Sequence, residues 1–450
     1  MSLLIFRFVA VFWANLDDRR INCFGSLLCI LSGNPMPNST TDFKNVLVVN
    51  QHGDNRGDEA ALRAMMDGVE SRLGSTHFTV LHQYRNRQGS LDVPQSVDWI
   101  SLVLPLTEAL RLVCFVVLGL TRAHPYRILG THGRKIIDAY EGADVVVSAP
   151  GGPYLGDIYS DHEPLHWLYI WLSRLYGKPI VLYATSVGPF RIRWRRAFRR
   201  YTFRCFDRVI VREERSAGYL RDLLGNSVKI EVTADSAMQH MVEPLSKDKW
   251  VALDKGKHDR RVLMVSAFDG KYSKDQNSEE KRDVYDKAIV AAVTHIADGH
   301  EWHVVFVPQL HDSPHRDAPY LERLAGSLPA SVSSEVLDDQ LNSYEQRQRF
   351  ASADLVLAGR YHPAVFAVAA EVPVLCIPYE HKAAGLMEAA GLDEYIVPIE
   401  EVTTERLVEA ISRVWKDRET VVRQMAKTSP KLRKLSGETS DAVQDLFGQN

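Results

Sequence analysis

Short apolar runs of strand length alternate with helical stretches along almost the whole chain, and that alternation restricts its fold more than any other feature. Runs of this kind fall at Val46–Asn50, Phe78–His82, Asp144–Ser148, Ile180–Thr185, Arg208–Val211 and Lys229–Val232. A second series follows at Val262–Val265, His303–Val307, Leu355–Leu357, Val372–Ile377 and Tyr395–Val397. Helical stretches such as Asp58–Arg72, Glu163–Leu175, Trp194–Cys205, Ser216–Leu224 and Asp283–Ala297 fill the gaps. Apolar strands separated by helices build parallel sheets covered on both faces. The expected class is therefore α/β, with two doubly wound, Rossmann-like domains facing a cleft. A polar, non-periodic stretch from Met241 to Arg260 separates the two series. The reading is an N-terminal domain over 45–240, a linker over 241–260 and a C-terminal domain with terminal helices over 261–450. Whether the Thr403–Trp415 helix and the charged tail pack back on the first domain is left open by the sequence.

Residues 1–44 are expected to lie outside the fold. Leu3 to Leu16 is apolar but interrupted by Arg7 and closed by Asp17-Asp18-Arg19-Arg20. It is too short to span a bilayer and lacks the basic start and cleavage site of a secretory signal. Met36 is a candidate initiation site. Trp99–Leu120 has the length of a span, but Glu108 and Arg111 near its middle would each cost roughly 2.5–3.5 kcal/mol in a membrane. A buried or half-buried helix is the preferred reading, with a membrane-surface helix as the alternative.

A net charge of −3 argues against a nucleic-acid partner. The five cysteines are scattered, with no C-x-x-C pair, so neither a disulfide framework nor a zinc site is expected, and a cytoplasmic location fits.

The polar motifs follow strands, where open α/β sheets bind ligands and helix N-termini favour anions. The densest is Ala358-Gly-Arg-Tyr-His-Pro, followed after one more strand by Tyr379-Glu-His-Lys382. Arg360, His362 and Lys382 converging at one edge point to an anionic substrate. After the first strand, Gly53 and Gly57 suit a tight turn with close backbone approach, Asp58 is placed to cap the next helix, and Asp54 and Asn55 are candidates for substrate hydroxyls. Gly151-Gly152 and Thr185–Pro189 read as further loops on the same edge, the first with backbone N–H groups open to a ligand. Arg212 and Asp235 each follow a strand, as a cleft cation and a cleft carboxylate or as surface residues. The basic stretch Arg191–Arg200 reads as a solvated face, with anionic lipid as the alternative. His311, His315 and Asp317 read as a polar cleft loop rather than a metal site.

Taken together, Asn55-x-Gly57-Asp58-Glu59-Ala60, Gly151-Gly152, Ser186-x-Gly188-Pro189, Val211-Arg212-Glu213-x-x-Ser216, Thr233-Ala234-Asp235, Gly359-Arg360-x-His362 and Tyr379-x-x-Lys382 resemble the polysaccharide pyruvyl transferase family. The resemblance runs from about Val46 to Leu392. It implies a GT-B-like fold and transfer of pyruvate from phosphoenolpyruvate to a sugar of a cell-surface or exopolysaccharide precursor, as a ketal. Tyr361 stands where the family more often has leucine. On this reading Arg360 and Lys382 hold the donor with Arg212, and His362 is the general acid. Asp54 or Asp58 takes the hydroxyl proton, and Asn55, Gly151, Gly152 and Asp235 line the substrate. The scheme needs no metal or organic cofactor. The partners are phosphoenolpyruvate and a sugar or lipid-linked glycan, with peripheral contact at the inner membrane face. The rivals are a GT-B glycosyltransferase using a nucleotide sugar and a non-catalytic sugar-binding scaffold.

Overall fold

A computed structural model describes residues 43–447 except 84–90, 94–96, 103, 120–125, 246–259, 270–277, 299–300 and 312–315. The N-terminal extension up to residue 42, most of the expected linker and His315 lie outside the described residues.

The first sheet comprises β1 (Lys44–Gln51), β2 (Thr76–His82), β3 (Val97–Ser101), β4 (Val145–Ser148), β5 (Gly151–Leu155), β6 (Ile180–Val187), β7 (Arg208–Val211) and β8 (Ile230–Val232). Its order is β3-β2-β1-β4-β6-β7-β8, with β5 added on β6, and every pairing is parallel. The second sheet comprises β9 (Arg261–Ser266), β10 (Trp302–Phe306), β11 (Ser333–Val336), β12 (Leu355–Ala358) and β13 (Val374–Cys376), in the parallel order β11-β10-β9-β12-β13. Two doubly wound α/β domains are thus present, as the alternation of apolar runs requires. Strand order reverses between β1 and β4 in one sheet and between β9 and β12 in the other. Those two switch points are where such sheets open crevices for ligands.

The helices that cover the first sheet are α1 (Arg56–Leu73), α2 (Leu106–Gly119), α3 (Thr131–Gly142), α4 (Glu163–Leu175), α5 (Arg196–Arg204) and α6 (Glu214–Leu224). Leu112, Ile136, Trp167, Phe198 and Leu220 of α2 to α6 share one buried cluster. Leu62, Met65 and Val69 of α1 belong to a separate cluster with Val46, Val48 and Val147. The expected single helix over Trp99–Leu120 is two elements. Trp99 and Ile100 pair with β2 in β3, and α2 buries Ala109, Leu112, Val113 and Phe115 while Arg111 stays exposed. The charged residues that weigh against a span lie toward the outer side of a helix with one buried face. Among the described residues no helix is long and apolar enough to cross a membrane.

The second domain carries α7 (Ser278–Ala297), α8 (Ala318–Gly326), α9 (Ser343–Ala351), α10 (Tyr361–Ala369), α11 (His381–Ala390), α12 (Thr404–Lys416) and the long α13 (Arg418–Phe447). The question left open by the sequence has a definite answer. Val421, Met425 and Leu432 at the start of α13 join the core of the second domain, whereas Ala442, Val443 and Leu446 at its end join the first-domain cluster under α1. Its inward hydroxyls are all engaged: Ser429 donates to the Val368 carbonyl at 2.6 Å, Ser436 to the Asp235 carbonyl at 2.7 Å and Thr439 to the Thr233 hydroxyl at 2.8 Å. The segment expected as a strand at Tyr395–Val397 is only a single bridge from Ile396 to Cys376.

Candidate active site

Arg360 and His362 sit where the sequence puts them, at the turn from β12 into α10, facing the switch point of the second sheet. Gly359 is there for close approach rather than for turning. A side chain on it would start 2.5 Å from the Tyr285 hydroxyl and 2.6 Å from the Ser266 carbonyl. The Arg360 guanidinium is ion-paired with Asp317 and lies 5.4 Å from the centroid of Phe268, which stacks on Tyr379 at 4.1 Å. Asp317 also accepts the N–H groups of Gln309 and Leu310, both at 3.0 Å. That carboxylate therefore ties the 309–317 loop to Arg360.

The first domain supplies Arg212 from the end of β7. Its guanidinium is fully buried, donates to the Ser186 hydroxyl at 2.7 Å, pairs with Asp235 and lies over the Tyr361 ring, 4.2 Å from its centroid. The Tyr361 hydroxyl donates to the same Asp235 oxygen at 3.2 Å, and His362 Nε2 stands 3.9 Å from it. One carboxylate thus joins an arginine of the first domain to a tyrosine and a histidine of the second. Burial works to raise the Asp235 carboxyl, but Arg212, His362 and the Ala237 N–H together hold it below its ordinary range. Arg212 Nη2 and His362 Nε2 are both buried without a hydrogen-bond partner. Polar nitrogens of that kind, at the meeting of two switch points, are the groups a ligand would satisfy.

Lys382, at the start of α11, pairs with Glu380 at 2.7 Å and lies 5.7 Å from the Tyr361 centroid. Burial lowers its affinity for a proton, yet Glu380 and Tyr379 more than offset this and keep the ammonium charged. Its Nζ is 3.6 Å from where a side chain on Gly152 would begin, and Asp58 Oδ1 is 3.6 Å from the same point on Gly151. Gly151 and Gly152 therefore run between Asp58 and Lys382. They do so as the first residues of β5, paired with β6, and not as the expected open loop. Thr185–Val187 likewise belongs to β6, whose Ser186 hydroxyl donates to Glu213 at 2.9 Å.

Two expectations for the first loop change. Asn55, not Asp58, caps α1, its side-chain oxygen accepting the Gly57 N–H at 2.9 Å, because the helix begins at Arg56. Asp54 is buried and its carbonyl accepts the His311 N–H at 3.1 Å. The left-handed positions of this loop are Asn50 and Asp54, at φ 62° and 63°, residue types that tolerate that conformation. Gly57 meets the expectation of close approach in full. A side chain there would begin 1.9 Å from His362 Nδ1.

Burial, with a smaller contribution from Arg212 and Lys382, lowers the His362 imidazole to about 4 against the pull of Asp235 and Asp58. With no ligand bound, His362 is neutral near pH 7. The partners that sequence reasoning missed are Phe268 and Glu380, and it gave Ser186 and Glu213 only as parts of the family motifs. Phe268 lies two residues past β9, and its strand-end position was the available signal.

The amylovoran biosynthesis protein AmsJ of Erwinia amylovora is 22% identical over 434 residues, covering 90% of this chain and all of that one. Among solved structures, the S. aureus MnaA–UDP co-structure covers 88% of this chain and 94% of its own at TM-score 0.56 and 13% identity. The UDP-GlcNAc 2-epimerase of Neisseria meningitidis bound to UDP-GlcNAc covers 90% and 100% at TM-score 0.55 and 11% identity. These likenesses show the fold, and they bear out the GT-B-like class. The family model for polysaccharide pyruvyl transferase matches residues 55–381, from the loop that caps α1 through Arg212, Asp235, Arg360 and His362, and the chain belongs to that family.

Proposed function

We propose that this enzyme transfers pyruvate from phosphoenolpyruvate to a sugar of an exopolysaccharide or other cell-envelope precursor, closing a cyclic ketal. The observation that carries the reading is the pair of buried, unpartnered nitrogens, Arg212 Nη2 and His362 Nε2, flanking Asp235 between the two domains. The donor bears a carboxylate and a phosphate. Arg360 and Arg212 offer planar forks for such groups, and Lys382 a point charge. Their carboxylate partners Asp317, Asp235 and Glu380 fix each cation's orientation before the donor arrives.

Transfer begins when a proton is added to the methylene carbon of the donor, leaving an oxocarbenium-like centre at the carbon that bears the phosphate ester. A sugar hydroxyl attacks that centre and loses its proton. Attack by a second hydroxyl then expels phosphate and closes the ketal. His362 is the acid. Its imidazole is neutral in the empty site, and the negative charge of the bound donor favours protonation, so acid and donor enter the reactive state together. Asp58, half-buried beside Gly151, takes the hydroxyl proton in preference to Asp54, which is buried against the 309–317 loop. Asn55, Gly151 and Gly152 line the acceptor side. Neither a metal nor an organic cofactor enters the scheme. A cytoplasmic enzyme working at the inner membrane face on a lipid-linked glycan fits this reading.

The test is phosphate release from phosphoenolpyruvate with a panel of sugar acceptors, together with calorimetric titration of the donor. Acceptor-dependent release that disappears in His362→Ala, with folding intact, is the expected result. Binding of a UDP- or GDP-sugar in place of phosphoenolpyruvate would assign a glycosyltransferase instead. Binding of sugar alone would assign a scaffold.

A further inference from the structure

We propose that the arginine-rich segment from Phe190 to Arg204 is the surface by which this protein docks on an anionic phospholipid bilayer, with Trp194 as its apolar anchor. The segment contains seven arginines and no acidic residue. The structure divides those arginines by role. Arg199 is fully buried and pairs with Glu163 at 2.8 Å and with Asp157 at 2.6 Å, while Arg195 pairs with Glu163 at 3.0 Å. Arg196 donates to the carbonyls of Phe190 and Asp222, and Arg200 to that of Leu223. These four clamp the segment to the domain. Arg191, Arg193 and Arg204 remain exposed; the Arg191 backbone N–H donates to Asp157, but no carboxylate among the described residues pairs with their guanidinium groups.

Two further observations separate this face from an ordinary solvated one. Soluble surfaces interleave acids with bases, and this segment itself contributes only bases. Trp194 is 54% exposed between two of them, with the Arg195 guanidinium 5.1 Å from its ring. An exposed indole among arginines suits the headgroup level of a bilayer, where the ring is shielded from water and the cations meet lipid phosphates. Arg193, Ala197, Arg200 and Arg204 are exposed at intervals of three and four residues, so they share one face, while Phe198 and Phe203 pack inward.

The position also matters. The segment starts directly after β6, on the cleft side of the sheet. Arg195 donates to the Ser160 carbonyl and Arg199 pairs with Asp157, so the segment is tied to the 156–162 loop. Tyr159 of that loop donates to Glu380 at 3.0 Å, beside Lys382. A bilayer contacted here lies next to the mouth of the cleft. The surface is independent of the transfer chemistry and stands whether or not phosphoenolpyruvate is the donor.

Sedimentation of the full chain with vesicles tests this, using equal parts phosphatidylglycerol and phosphatidylcholine against phosphatidylcholine alone. Binding to the anionic vesicles only, weakening as salt is added, is expected. Each basic side chain near an anionic surface strengthens binding roughly fivefold. The triple variant Arg191→Gln, Arg193→Gln, Arg204→Gln is therefore expected to bind on the order of a hundredfold more weakly, and Trp194→Ala several-fold more weakly. Thermal unfolding of both variants, which needs no ligand, checks that the fold is kept. Absence of binding by the unaltered protein, equal binding to both vesicles, or unchanged binding by the triple variant would each overturn the proposal. The last would move the contact to another segment, such as the apolar run at Leu3–Leu16.

Discussion

The His362 ring rests against the backbone of Gly57, so the absence of one side chain in the first domain sets the position of the proposed acid in the second. Gly57→Ala would begin its side chain 1.9 Å from His362 Nδ1 and 2.4 Å from its Cβ. The ring alone cannot rotate out of that overlap, and α10 must shift with it. Transfer is expected to fall on the order of a hundredfold, since misplacing a catalytic group by about 1 Å costs about that much. Phosphate-release kinetics beside an unfolding curve separate this loss from collapse of the fold, and a variant turning over at the parent rate would refute the placement. At this scale the sequence was legible where chemistry is contiguous. Arg360, His362 and Lys382 stand out because one strand–turn–helix unit and the next strand end carry all three. Their partners were not, because Asp317 precedes Arg360 by 43 residues and Glu213 meets Ser186 across two strands. Asn55 was passed over as a cap because Asp58 looked the better acceptor, and only the true start of α1 decides between them.

Most elements with a plain apolar pattern were read correctly, Tyr395–Val397 being the exception, and those that lack it were lost. β5 opens with two glycines and a proline, β11 is Ser-Ser-Glu-Val on a sheet edge, and β3 merges with α2 into one apolar run. Packing decides such segments, and local pattern does not. Packing also explains why so many arginines are tolerated near α5. Glu163, on the first turn of α4, accepts from Arg199 and Arg195 in a fully buried cluster that binds α4 to α5. Glu163→Gln removes the counter-charge of Arg195 and leaves buried Arg199 with Asp157 alone, a change that costs about 3 kcal/mol. The denaturant midpoint of that variant is expected to fall accordingly, and an unchanged midpoint would show that water reaches the cluster. Vesicle binding by the folded fraction is expected to weaken as well, because the same cluster holds the exposed arginines in place.

Across the whole molecule, buried neutral histidines set the response to acid. Burial lowers the imidazoles of His52, His362 and His381 from 6.5 to about 4, and holds that of His166 well below its ordinary value. The unfolded chain then binds more protons between those values, so stability is intact above pH 6.5 and is lost as pH falls toward 4. For His362 alone the loss at about pH 5 is of order 2 kcal/mol. Unfolding curves taken from neutral pH downward are expected to show this decline, with His362→Gln showing a shallower one. A profile flat across that range would contradict neutral burial.

The helix α13 carries a consequence in time as well as in space. Its last turns complete the interior beneath α1, although the ribosome adds them about 200 residues after β8, the last strand of that sheet. Chains emerge at roughly 5–20 residues per second, so the first domain waits on the order of ten seconds or more with one flank of its sheet uncovered. Neither domain can mature and then wait for the other: the closing stitch belongs to both, and it is made last.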